Sequence, residues 1–223
     1  MISNDKKDQV IQKHQHQGVT ILDPLTTYID EEVVIEAGAV IYPNCCIEGT
    51  TRIAQGAVIG MNSKLNNAII GERTVIESSW IINSEIGSDT TIGPYAHIRE
   101  HSAIGNKVRI GNFVEMKKTR FGNLSRCAHL SYLGDSDIGE DVNVGCGVVT
   151  VNYDGKHKYK TIVKDRAFIG SNANLIAPIT IGEMAVVAAG STVTQDVPSG
   201  DMGIARSRQT NKQGFGKKYI DKK

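Results

Sequence analysis

The chain has 223 residues, with 25 Lys plus Arg against 24 Asp plus Glu and a formal net charge of +1, so no global field draws in nucleic acid or an anionic membrane. A hydrophobic content of 40% argues against disorder, and 23 glycines beside only 5 prolines exclude collagen. No run approaches the ~18 apolar residues that insert into a membrane, and MISNDKKDQVIQKHQHQ lacks a signal peptide's apolar stretch, so a cytoplasmic protein of one domain or two small ones is expected.

Residues 1–17 read as a linker or a short helix over 5–15, and GVTILDP (18–24) leads into the first repeat. From there a period of six takes over. Ile29, Ile35, Ile41, Ile47, Ile53, Ile59 and Leu65 stand six apart, and the register slips by one before Ile70 and Ile76. It runs on from Ile86 through Ile92, Ile98, Ile104 and Ile110 to Met116; another slip gives Phe121, Cys127 and Leu133, and then come Ile138, Val144 and Thr150. After a gap it returns at Val163, Ile169, Leu175, Ile181, Val187 and Val193. Neither a helix nor an ordinary strand has this period; a hexapeptide repeat does, and it signals a parallel β-helix. Three hexads make a triangular coil of about 18 residues, and successive coils stack about 4.8 Å apart through parallel hydrogen bonds. The marker side chains point inward, Ala57, Ala68 and Ala185 fill the narrow interior, and Glu72, Arg73 and Asp89 between markers face solvent. The one-residue slips are corners that lost a residue.

The middle of the chain carries the polar signals. Lys117, Lys118, Arg120 and Arg126 crowd into NFVEMKKTRFGNLSRCAHLSY (112–132), followed by His129 and Tyr132. Arg99 lies one coil before Lys117, so the two are expected on the same side, and stacked like charges call for an anion such as a sugar phosphate. His129 falls at a face or corner position, where a histidine near neutral pKa can serve as a general base. Asn143 falls in the adjacent coil and can orient a substrate or the imidazole. The four cysteines, Cys45, Cys46, Cys127 and Cys146, form no CxxC pair and read as free thiols of a reducing compartment.

The repeat fails at length once, between Thr150 and Val163. The inserted loop (151–160) contains the turn Asp154-Gly155 and the cations Lys156, Lys158 and Lys160. A solenoid projects insertions on one face, often the binding face, although a plain solvated hairpin fits as well. Beyond 197 a basic tail (198–223) leaves the hexad pattern, and its last six or so residues are expected to fray.

The stretches GPYAHIRE (93–100), GNFVEMKKTRFG (111–122), AHLSYLGDSDIGEDVNVGCG (128–147), TVNYDG (150–155), GSNANLIAP (170–178) and VAAGSTVT (187–194) resemble the C-terminal acetyltransferase domain of the bifunctional enzyme family that makes UDP-N-acetylglucosamine. The resemblance implies an all-β, left-handed parallel β-helix of about nine coils, with the solenoid over 18–197. It implies acetyl transfer from acetyl-CoA to the 2-amine of α-D-glucosamine 1-phosphate. His129 matches the proton acceptor, and Arg99, Lys117 and Lys158 the cations around the sugar phosphate. Tyr132, Asn143 and Asn152 match sugar-binding and positioning residues, with Asn152 and Tyr153 also near the acetyl group and cofactor. Ser171, Ala189 and Arg206 match acetyl-CoA contacts, and Cys146 falls at a cofactor position contacted through its backbone. The family forms homotrimers with the cofactor between neighbouring solenoids. Its nucleotidyltransferase domain, with the Mg²⁺ it uses, has no counterpart in this sequence, so the chain is either a piece of a longer protein or a free-standing relative, and no metal is expected in it. Three alternatives stay open: an acetyltransferase of the same fold acting on another amino sugar, a γ-type carbonic anhydrase using His97, His101, His129 or His157, and a non-catalytic scaffold.

Overall fold

The computed structural model describes residues 4–220. The chain winds into a left-handed parallel β-helix. Its two- to four-residue strands recur in a fixed order on three walls: eleven strands on the first, ten on the second and nine on the third. Nine complete coils are capped by a tenth, whose third wall is the single bridge of Val197 to Ile181. Pairing between the wall strands is parallel, and the coil-to-coil offset is read directly from it: Val40 pairs with Val58, Val58 with Val75, and Val75 with Thr91. The shorter offsets are the slipped corners.

The strands form because each hexad places a β-branched or long apolar side chain inward and its neighbour outward. The inward row, from Ile29 and Ile41 through Ile98 and Met116 to Val187, is almost wholly shielded from water. Ala57, Ala68 and Ala185 are fully buried, as the spacing predicts. Buried hydroxyls complete the corners: Thr51 Oγ1 donates to the Glu48 carbonyl at 2.7 Å and accepts from the Ala68 N–H at 3.2 Å. This satisfies corner backbone groups that no strand partner reaches. Outside, Arg73 bridges Glu72 and Asp89 at the surface.

The N-terminal segment is a helix, Asn4–His16, rather than a linker. It closes the open end of the stack with Val10, Ile11 and His14, all buried. At the other end the sheet runs past residue 197: Met202–Gly203 pairs with Val186–Val187 as the last strand of the first wall. Of the terminal residues expected to fray, 218–220 belong to a helical turn, Lys217–Ile220, and 221–223 lie outside the described residues. No helix among the described residues is long and apolar enough to cross a membrane.

Candidate active site

The second wall has two edges, and they differ in chemistry. Where it meets the third wall, the edge is basic. Arg99 stands in register with Lys117, as the spacing predicts. Acids interleave the two cations. Glu115 Oε1 accepts from Arg99 Nε at 2.9 Å and Nη2 at 2.5 Å, and Glu100 Oε1 accepts from Arg99 Nη1 at 2.5 Å. Lys117 Nζ lies 3.2 Å from that same Glu100 oxygen.

The next rung above Lys117 is Gly134. A Cβ on it would sit 2.5 Å from the Tyr132 hydroxyl oxygen and 2.8 Å from Asn152 Nδ2. The bare glycine therefore leaves room for both the phenol and the amide on the rung above the lysine. Asn152 is buried and donates from Nδ2 to Asp135 Oδ2 at 2.5 Å.

The inserted loop is a small hairpin. Tyr153 bridges Lys158 in antiparallel fashion, Asp154 Oδ1 accepts from the N–H of Lys156 at 2.7 Å and of His157 at 2.6 Å, and Gly155 turns with φ +100°. This turn brings Lys158 back against Lys117. Facing that ammonium depresses the Lys158 pKa, while the hydrogen bond to Glu100 raises that of Lys117. Three cations thus converge at one edge, an arrangement suited to a multiply charged anion.

The edge between the first and second walls is neutral. Asn112 pairs with His129. Above them Cys146, Ser171 and Ala189 each stand two residues past the paired markers Val144, Ile169 and Val187. Backbone bonds tie this column together: Gly147 N–H to His129 O at 3.3 Å, Asn172 N–H to Cys146 O at 2.7 Å, and Gly190 N–H to Ser171 O at 2.8 Å. Arg206 reaches its upper end, with its Cδ 3.7 Å from where a Cβ on Gly190 would lie. A Cβ on Gly170 would fall 2.4 Å from the Ala189 nitrogen, so a bare backbone keeps the column close-stacked. The Ser171 and Ala189 N–H groups have no acceptor among the described residues.

His129 is exposed, and its Nδ1 lies 2.8 Å from Asn112 Oδ1. An amide oxygen only accepts, so Nδ1 carries a hydrogen, and in the neutral ring the lone pair is then on Nε2. That is the tautomer a general base requires. From His129 to Gly134 the chain advances five residues, at most about 17 Å at strand rise.

The remaining sequence-derived residues fall as follows. Asn143 sits on the first wall in register with Arg126 and Phe168, and the imidazole takes Asn112 as its partner instead. Asn152 and Tyr153, which the resemblance associates with the cofactor, belong to the basic edge of their own chain. Tyr153 donates its hydroxyl to Gly155 O at 2.6 Å. All four cysteines are free thiols; burial pushes Cys127 up to about 12, and Cys146 is half-buried at the neutral edge. Among the described residues no group of three or more His, Cys, Asp or Glu is placed to hold a metal ion. Asn112, Glu100 and Glu115 were not singled out from sequence. The signal for the two acids was adjacency to the basic pair, and for Asn112 it was the 17-residue offset of a slipped coil.

Comparison with known proteins places this geometry. Residues 29–126 match the family model for the GMPPB C-terminal domain, and residues 160–195 that for the hexapeptide repeat of succinyl-transferase. The chain is 54% identical over 209 residues to the bifunctional protein GlmU of Geobacillus sp. (strain WCH70), covering 94% of this chain and 46% of that protein. It is 50% identical over 214 residues to the bifunctional protein GlmU of Clostridioides difficile (strain 630), covering 96% and 47%. The chain thus spans just under half the length of these relatives. Among solved structures, the UDP-N-acetylglucosamine acyltransferase of Francisella novicida shares the fold, with a TM-score of 0.56, 19% identity, and coverage of 83% of this chain and 67% of that one.

Proposed function

From a chain that matches the acetyltransferase region of the bifunctional GlmU proteins across nearly its whole length, we propose a glucosamine-1-phosphate N-acetyltransferase that uses acetyl-CoA. The observation that carries the proposal is the division of labour along one wall. Arg99, Lys117 and Lys158 gather at one edge as an anion site, and His129, its Nδ1 held by Asn112, heads a neutral column at the other.

In this reading the sugar phosphate docks on the basic edge. Tyr132 and Asn152, both beside Gly134, face the sugar. Acetyl-CoA runs along the neutral column past Cys146, Ser171 and Ala189, with Arg206 available to its phosphates. The neutral 2-amine attacks the thioester carbonyl carbon and the C–N bond forms. His129 Nε2 takes the amine proton as it does so. The open N–H group of Ser171 can hold the developing oxyanion. Collapse breaks the C–S bond, and the proton passes to the departing thiolate. No covalent enzyme intermediate is required. Asn143, on the first wall, and Tyr153, on the hairpin, complete the site of a neighbouring copy in a trimer with its sites between subunits.

The test is direct. Protein, acetyl-CoA and glucosamine 1-phosphate should release coenzyme A and yield N-acetylglucosamine 1-phosphate, identified by mass. Glucosamine 1-phosphate should outcompete other amino sugars. Preference for a different amino sugar, or no thiol release with any, would reject this substrate.

A further inference from the structure

The cations assigned to the substrate phosphate are already engaged by an acid of the same chain. One oxygen, Glu100 Oε1, contacts both Arg99 Nη1 at 2.5 Å and Lys117 Nζ at 3.2 Å. A phosphate oxygen bridging the same two cations would make the same pair of charged hydrogen bonds. Resting on the reading above, we propose that Glu100 is a built-in competitor for the phosphate. It occupies the anion site when substrate is absent and selects for ligands charged enough to displace it.

Local chain geometry explains how the carboxylate gets there. Lys118 alone links Lys117 to the next buried small residue, Thr119, whereas both Glu100 and His101 lie between Arg99 and Ser102. The corner at Arg99 is one residue longer. Both of its residues take the left-handed conformation, with φ +52° and +62°. The longer corner carries Glu100 to the edge, where its side chain spans two rungs.

Glu115 plays a different part. It lies within a wall strand, and a single oxygen grips Arg99 through Nε and Nη2, which aims the guanidinium without reaching Lys117. Glu100 sits at a turn with 39% of its side chain exposed, so it can swing into water with little desolvation to overcome. If it stayed, a dianionic phosphate would enter beside a carboxylate. Its departure is therefore coupled to binding, and a weakly charged or neutral ligand has too little to offer in exchange.

The experiment compares Glu100→Gln with the parent protein. Two quantities are read: the KM for glucosamine 1-phosphate at saturating acetyl-CoA, and the Kd for inorganic phosphate measured by calorimetry. Exposed ion pairs are weak, so both constants should fall by only about fivefold, with kcat unchanged and the melting temperature retained. Glu100→Asp, one methylene shorter, should lie between the two. Unchanged or raised constants in Glu100→Gln would overturn the proposal, because Glu100 would then be orienting the cations rather than competing for them. The phosphate titration needs no turnover. If the parent protein acetylates no sugar phosphate, the functional reading fails while the titration still decides the role of Glu100.

Discussion

The two edges of the second wall are built from the same repeat and reach opposite electrostatic states. The basic edge stacks Arg99 on Lys117, interleaves acids, and adds Lys158 from a hairpin. The neutral edge stacks Asn112, His129, Cys146, Ser171 and Ala189, held coil to coil by backbone bonds. The first gains its character from two irregularities, the corner beside Lys117, one residue shorter than the full corner that carries Glu100, and the loop inserted at 151–160. The second gains it from the repeat itself, because residues at equivalent places in successive coils must align. A solenoid therefore offers a long straight groove at an uninterrupted edge and a local pocket wherever an edge is interrupted. An extended cofactor suits the former and a compact anion the latter.

Kinetics can break or sharpen this contrast. Lys117→Ala removes the central cation of the basic edge. Loss of its charge-assisted hydrogen bond to the phosphate should raise the KM for glucosamine 1-phosphate roughly 10- to 100-fold, while the KM for acetyl-CoA stays put. Equal increases in both would show that the edges are not separate sites. Asn112→Ala acts at the other edge and more weakly. It releases the His129 ring and its tautomer, and the loss of one hydrogen bond should lower kcat by about fivefold to tenfold with both KM values unchanged. Asn112→Asp, whose carboxylate also accepts from Nδ1–H, should restore kcat. An Asn112→Ala protein with normal kcat would separate the ring's orientation from turnover.

Much of this was legible in the sequence because the core of a β-helix is one residue wide. Nearly every inward marker is apolar, so Ile29 to Val193 announce the coils one by one, and the Arg99–Lys117 rung follows from adding one coil. The register was harder to carry across slips. Asn112 meets His129 at an offset of 17, whereas a full coil of 18 would have paired it elsewhere, so the imidazole's partner was not evident and Asn143 stood in its place. The N-terminal helix was ambiguous for a different reason. It is polar along most of its length and buries only a short stripe at Val10, Ile11 and His14, too little to separate helix from linker by pattern. The bridging position of Glu100 depends on side-chain direction, which a period of six does not encode.

The central claim is that His129 removes the amine proton while the basic edge independently holds the phosphate. It is tested most directly by His129→Ala, assayed for acetyl transfer to glucosamine 1-phosphate with both KM values determined. A general base is worth about 10²- to 10⁴-fold, so kcat should fall by that factor with the KM for glucosamine 1-phosphate unchanged and the fold intact by circular dichroism. Turnover equal to that of the parent protein would contradict the account.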